Sequence, residues 1–238
     1  MIWQVPKMWE GGDVWIIGGG SSVPKQFGVP DSVVADVIKG SSPASVYSSY
    51  MSALHDKHVI GINVAYLLGD WIDMVFFGDK GFFLKHQNEL AVFPGLKVSC
   101  HPRADRYDWI KYTPKDPKHG KGISSNPNMV SWNGNSGAAA ISIAVHAGAK
   151  RVILLGFDMK LNDKQEQHWH DAYGKIVNKD NKNTKKIKSL PFGRHLTGFE
   201  QIAKDAKRME VEILNCCPDS AIKEFPKFTA KELLFDNT

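Results

Sequence analysis

Short apolar runs along the chain alternate with longer stretches in which apolar residues recur every three or four positions. Asp13–Ile17 (DVWII), His58–Ile62 (HVIGI), residues 73–77 (DMVFF), Leu96–Ser99 (LKVS), Arg151–Leu155 (RVILL) and residues 211–215 (VEILN) read as strands. Most are apolar almost throughout, as strands covered on both faces must be. Residues 136–147 read as a helix of small residues. Residues 199–209 read as an amphipathic one, with Phe199, Ile202, Ala203, Ala206 and Met209 on one face. A weaker helix is expected over 30–38 and another after Gly81, while residues 40–52 begin as a loop and end as a helix. Residues 102–128, rich in Pro, Lys, Asn and Gly, read as an irregular excursion. No internal repeat or second domain is visible. The alternation predicts one α/β domain over residues 1–238: a Rossmann-like, mostly parallel sheet with helices on both faces. Ligands of such sheets bind at the carboxyl ends of the strands, near the point where the strand order reverses. The turns that follow the strands are therefore the informative ones.

Residues 160–194 break this rhythm. They are polar and weakly patterned, and a loop that long inside a compact domain is a functional or mobile element. They also change the charge picture. The chain carries +5 in total, of which residues 175–194 hold +6, leaving −1 elsewhere. A protein that coats nucleic acid spreads its basic residues over a face. A single basic segment suits a mobile lid that attracts an anionic substrate. The three cysteines, Cys100, Cys216 and Cys217, are odd in number and two are adjacent. That fits a reducing cytoplasm and excludes a disulfide framework or a cysteine zinc site. No signal peptide and no run of about 18 apolar residues is present.

Candidate chemistry lies at the strand ends. Gly18-Gly19-Gly20-Ser21-Ser22 follows the first strand. Glycines let backbone N–H groups approach a phosphate, and Ser22 adds a hydroxyl. Val23 stands where a dinucleotide fingerprint needs its third glycine, and Asn63 ends the next strand where an acid would hold a ribose. Classical NAD binding is therefore not expected, and nucleotide binding is. Asn63 offers both a donor and an acceptor to a base or sugar edge. Asp79, Asp158 and Lys160 sit after the third strand and after Arg151–Leu155. Asn135-Ser136-Gly137 opens a helix and points N–H groups and the positive end of the dipole at any anion. His146, among apolar neighbours in that helix, reads as a core histidine. His168-Trp169-His170 binds metal only if further ligands join it, so the pair is read as substrate-facing and no metal is expected. His195, at the entrance of the amphipathic helix, is placed to act as a general base. No nucleophile elbow, Walker lysine loop or zinc-protease helix motif occurs.

In order along the chain, several of these blocks resemble the bacterial lipooligosaccharide sialyltransferases, which use CMP-sialic acid. The blocks are VWIIGGGSSV, VIGINVAY, NSGAAAISIAVHAGAKRVILLGFDM and HLTGFEQIAKDAKRMEVEILNCCPDSAI, and together they cover about half of the chain. The resemblance implies a single nucleotide-binding domain with a flexible lid over about 160–194, and transfer without a metal. It implies that His195 is the general base, with Glu200 as the acid that follows it. It places Asn63, Ser136 and Gly137 on the cytidine nucleotide, and His168, His170 or Tyr173 on the leaving phosphate. Four positions depart from that pattern. Gly19 and the Gly78-Asp79 turn replace asparagines, Asn133 replaces an arginine and Lys160 replaces a tyrosine.

The expectation is a cytoplasmic, metal-independent glycosyltransferase-like enzyme with a nucleotide sugar as donor. Its acceptor is a glycan, a small molecule or a modified nucleic acid, and its oligomeric state is open. Expected donor-binding residues are Gly18, Gly19, Gly20, Ser22, Asn63, Asp79, Asn135, Ser136, Gly137, Asp158 and Lys160. A diphosphokinase resembling the 6-hydroxymethylpterin type, using ATP and Mg²⁺, is the alternative. Proteins of this general kind also occur in bacteriophages, and a nucleic-acid modification or binding role would suit the basic segment.

Overall fold

The computed structural model describes residues 1–172 and 192–235 of the 238-residue chain. Its centre is a seven-stranded sheet: β1 (Asp13–Ile17), β2 (His58–Ile62), β3 (Met74–Phe77), β4 (Leu96–Ser99), β5 (Lys111–Tyr112), β6 (Arg151–Leu155) and β7 (Glu212–Asn215). The order is β5-β4-β3-β2-β1-β6-β7, and every pair is parallel. The chain builds outward from β1 on one side and returns for β6 and β7 on the other. The order therefore reverses between β1 and β6, where a parallel sheet leaves a crevice at its carboxyl edge.

The apolar strand sequences explain the burial. Successive side chains alternate between faces, so Val14 and Ile16 of β1 enter one core cluster and Trp15 and Ile17 the other. Val152 and Leu154 of β6 likewise face one cluster, Ile153 and Leu155 the other. Burying each such large side chain contributes roughly 1.5–3 kcal/mol, so these two layers outweigh any single polar contact at the sheet edge.

The described helices are α1 (Val23–Gln26), α2 (Asp31–Ile38), α3 (Lys80–Val92), α4 (Ser136–His146), α5 (Phe192–Leu196), α6 (Phe199–Arg208) and α7 (Ala230–Phe235). Short 3₁₀ turns cover Ala44–Leu54, Asn63–Leu68 and Pro102–Arg106. All residues of α4 are buried, His146 included, and the helix packs across β1, β2, β3 and β6. Its glycine and alanines permit that close approach. The amphipathic α6 lays Phe199, Ile202 and Ala206 into the same cluster. None of the described helices is long and apolar enough to cross a membrane.

Two expectations change. The excursion at 102–128 contains β5, a strand of two residues that pairs with β4 and is too short to show a pattern. The polar stretch after residue 160 is not a loose lid where it is described. Trp169 is fully buried, and its indole donates to the Gly18 carbonyl at 2.8 Å. Gly20 and His168 form an isolated antiparallel bridge. Residues 173–191, with Tyr173 and most of the basic segment, lie outside the described residues.

Candidate active site

A cleft of about 250 Å³ opens at the carboxyl edge of the sheet, over the β1/β6 reversal. Gly18, Gly19 and Gly20 line it after β1, Asn63 after β2 and Asp79 after β3. Asp158 and Lys160 line it after β6, with Asn135, Ser136 and Gly137 at the start of α4. His168 and His195 complete the set from the sequence. Residues far apart in the chain are thus gathered at one place by parallel strands that all end there.

Three N–H groups of the glycine turn are taken by the protein itself. Gly18 donates to the Leu155 carbonyl at 2.7 Å and Gly20 to the Gly156 carbonyl at 2.9 Å. Ser22 donates its N–H to Asp158 Oδ2 at 3.2 Å, and Ser22 is not part of the cleft lining. The glycines are needed because protein atoms crowd them. A Cβ at Gly18 would lie 2.8 Å from the Gly156 carbonyl oxygen, and one at Gly20 would collide with the Asp158 carboxylate. At Gly19 a Cβ would come within 2.9 Å of His168 Nδ1. Asp158 is the clamp: besides Ser22, it accepts from Cys217 Sγ at 2.7 Å. Burial, followed by the Asp158 charge, pushes the Cys217 thiol up to about 12, so the sulfur keeps its proton.

The start of α4 is different. Asn135 is the N-cap, and its Oδ1 accepts from the Ala138 N–H at 2.8 Å. Ser136 and Gly137 precede the first residue able to bond back within the helix, so their N–H groups have no intrahelical acceptor. The positive end of the helix dipole lies there too. The other amide hydrogen of Asn135 is used: Nδ2 donates to the His195 carbonyl at 3.2 Å. One side chain thus ties the helix start to α5. Gly134, at φ +78°, leaves room for the Arg194 backbone, whose carbonyl oxygen would be 3.3 Å from a Cβ.

His195 is half-buried. Burial, followed by the Arg194 and His168 charges, lowers its pKa below the usual 6.5, so the imidazole is neutral at neutral pH. Arg194 lies 3.4 Å from Nε2. A guanidinium can only donate, so this contact requires a bare Nε2 lone pair and places the ring proton on Nδ1. Glu200 does not support the ring. Its carboxylate lies on the exposed side of α6, 2.7 Å from Lys204 Nζ, outside the cleft lining. The Thr197-Gly198 break between α5 and α6 separates the two residues. His168 and His170 stack at 4.9 Å between ring centroids, and His168 Nδ1 lies 3.1 Å from the Gly19 carbonyl. Only His168 of the two lines the cleft. Among the described residues, no three His, Cys, Asp or Glu side chains are grouped to hold a metal.

Trp132, Gln167, Phe192 and Arg194 are among the cleft residues that the sequence reading missed. Trp132 lies over Gly78, with Lys115 Nζ 3.6 Å from its ring centroid. Gln167 Oε1 and Asn63 Oδ1 are buried and have no hydrogen-bond partner. Asn63 sits at φ +52°, a left-handed conformation that Asn tolerates better than most residues. Two bare acceptors in one polar cleft call for donors from outside the chain, because an unmet buried acceptor costs about 1–3 kcal/mol. Asn133 is buried and bonds both ways with the Gly122 backbone, so it braces the turn and does not face a ligand.

No family model and no curated protein matches this sequence. Solved structures do. The MAf glycosyltransferase from Magnetospirillum magneticum AMB-1 aligns over 96% of this chain and 35% of its own, at 13% identity and a TM-score of 0.57. The chain shares the fold of that glycosyltransferase. It spans about a third of that protein's length. The sialyltransferase CstII from Campylobacter jejuni, solved with cytidine-5'-monophosphate, aligns over 91% of this chain and 84% of its own, at 14% identity and a TM-score of 0.48. The α-2,3-sialyltransferase Cst-I from the same organism aligns over 90% and 79%, at 17% identity and 0.46. The fold expected from the sequence, an α/β sheet of Rossmann-like type with helices around it, is the fold observed.

Proposed function

We propose that the chain is a glycosyltransferase that moves a sugar from a nucleotide sugar to an acceptor hydroxyl, with His195 as the base. One observation carries this reading: the bare N–H groups at the start of α4 and the neutral imidazole of His195 line the same cleft at the β1/β6 reversal. A donor phosphate meets Ser136 and Gly137 at the helix start. Asn63 Oδ1 and Gln167 Oε1 accept hydrogen bonds from donor groups of the nucleoside or sugar. Arg194 leaves His195 Nε2 for the donor phosphate, and the acceptor hydroxyl takes its place and gives its proton to Nε2 as its oxygen attacks the anomeric carbon. The bond from that carbon to the phosphate oxygen breaks, and the nucleotide leaves with the electron pair. Arg194 and Lys160, both on the cleft, stabilise the charge that grows on the leaving phosphate. The likeness of the sequence blocks to sialyltransferases makes a CMP-linked sugar the first donor to try, without added metal.

The test is a thermal-shift panel of CMP, UDP, GDP and ATP, each with and without Mg²⁺, followed by a transfer assay with the sugar conjugate of whichever nucleotide binds. His195→Ala is expected to keep nucleotide binding and to lose transfer by about 10²-fold or more, the scale of a missing general base. Full activity in that variant, or stabilisation by ATP–Mg²⁺ alone, would overturn the reading.

A further inference from the structure

A second and larger cavity, of about 860 Å³, opens at the opposite, amino edge of the sheet. It lies among the carboxyl end of α4, the segment before β1 and the entry to β7. Nothing in the glycosyl-transfer reading uses it. Helix α4 spans 11 residues, so its two ends, and the two openings, are about 16 Å apart.

The chemistry of this cavity is specific in three respects. His146 is only 6% exposed, yet it lines the opening, and its Nε2 is buried with no hydrogen-bond partner. The Met129 backbone lies beside the ring and favours a proton on Nδ1, with the lone pair on the unpartnered Nε2. Burial, helped by the nearby Lys7 ammonium, lowers this histidine to about 4, so at neutral pH Nε2 is an acceptor and not a donor. Second, the charged groups are Lys7, Lys150 and Glu210, a net positive set. Lys150 donates to the Glu210 carbonyl at 3.3 Å, and Lys7 has no ion-pair partner among the described residues. Third, two carbonyls just past the helix end are closed to a cation. The Ala147 and Gly148 carbonyls already accept from Trp9 and Gly11, each at 2.8–2.9 Å. Val145 and Val211 supply an apolar wall.

A bare buried acceptor beside an unpaired ammonium asks for a ligand with a hydroxyl at one end and an anion at the other. We propose that this cavity is a second ligand site, for a small hydroxylated anion such as a sugar phosphate, whose hydroxyl donates to His146 Nε2 and whose acid group pairs with Lys7. The apolar wall takes the carbon face of the sugar.

The experiment is a titration of the ¹⁵N-labelled protein, followed through the ring nitrogens of His146 in long-range ¹H–¹⁵N spectra. The probes are glucose 6-phosphate, inorganic phosphate and glucose. Glucose 6-phosphate is expected to shift the His146 Nε2 resonance and to saturate with a dissociation constant of about 1 mM or tighter. Lys7→Met, at an exposed position, should weaken it about tenfold, the loss of one charge-assisted contact. Lys160→Met, in the other cleft, should leave it unchanged. The proposal fails if glucose 6-phosphate leaves the His146 signals unmoved. It also fails if Lys7→Met binds as wild type does, or if phosphate alone or glucose alone matches the full probe. None of these readouts depends on enzymatic transfer.

Discussion

At the Gly18–Ser22 turn the N–H groups of Gly18, Gly20 and Ser22 end on protein acceptors, whereas at the Asn135–Gly137 turn the first two N–H groups of α4 have no acceptor in their helix. Both turns sit at the carboxyl edge of the same sheet and both read in sequence as phosphate cradles. The glycine-rich one serves close packing: β6, Asp158 and the His168-Trp169 segment all press on it. The other keeps its donors because a helix cannot satisfy its own first turn, whatever the composition. Glycine content reports that something comes close to the backbone. It does not say whether that something is a ligand or the protein itself.

Substitutions can break this contrast. Gly20→Ala would drive a methyl group into the Asp158 carboxylate and disrupt the clamp on Ser22 and Cys217. A loss of about 3 kcal/mol is expected, at the upper end for a steric insertion into a packed site. The denaturant midpoint measures it. A stable Gly20→Ala protein that has lost only nucleotide affinity would mean that the glycine turn is the cradle after all. At the other turn, Ser136→Pro removes one N–H while keeping the helix. Proline is favoured at the first helical position, and Asn135 is already extended at φ −155° and ψ 155°, as a residue before proline should be. Nucleotide affinity, by calorimetry, should fall about tenfold, the cost of one hydrogen bond to a charged group. Ser136→Ala, which keeps the N–H, is the control, and equal losses in the two would implicate the hydroxyl. The smallest effect is in pH. His195 must be neutral to act as a base, and its pKa is lowered. Thus kcat/KM should rise with pH through a value below the usual 6.5 and stay flat above it. A midpoint above 6.5 would place the titrating group elsewhere.

How much of this was legible in the sequence follows from the range of the interactions. β1, β2 and β6 were plain because each is a local apolar run. β5 was hidden because two residues carry no period. The gathering of Asn63, Ser136, Gly137 and His195 was legible through the rule that parallel strands end at one edge. Trp169 was not, since its bond to Gly18 spans 151 residues and its neighbours are polar. Gln167, Trp132 and Arg194 lie in segments without periodicity, so nothing local marked them. Glu200 misled for a local reason. The family resemblance joins it to His195, but the break at Thr197-Gly198 puts the two on different helices, and Lys204 takes its charge.

The side chain of Asn135 bears on how this site can be re-engineered. Its oxygen caps α4 and its nitrogen holds the backbone of His195. The proposed donor pocket and the proposed base are therefore not separable modules. A loop graft over 133–137 would also unmoor His195 unless it restores an amide at that one position. The substitution Asn135→Asp would keep the cap and drop the tether, so a library built on this scaffold should hold the amide fixed and vary Gln167 and Asn63 instead.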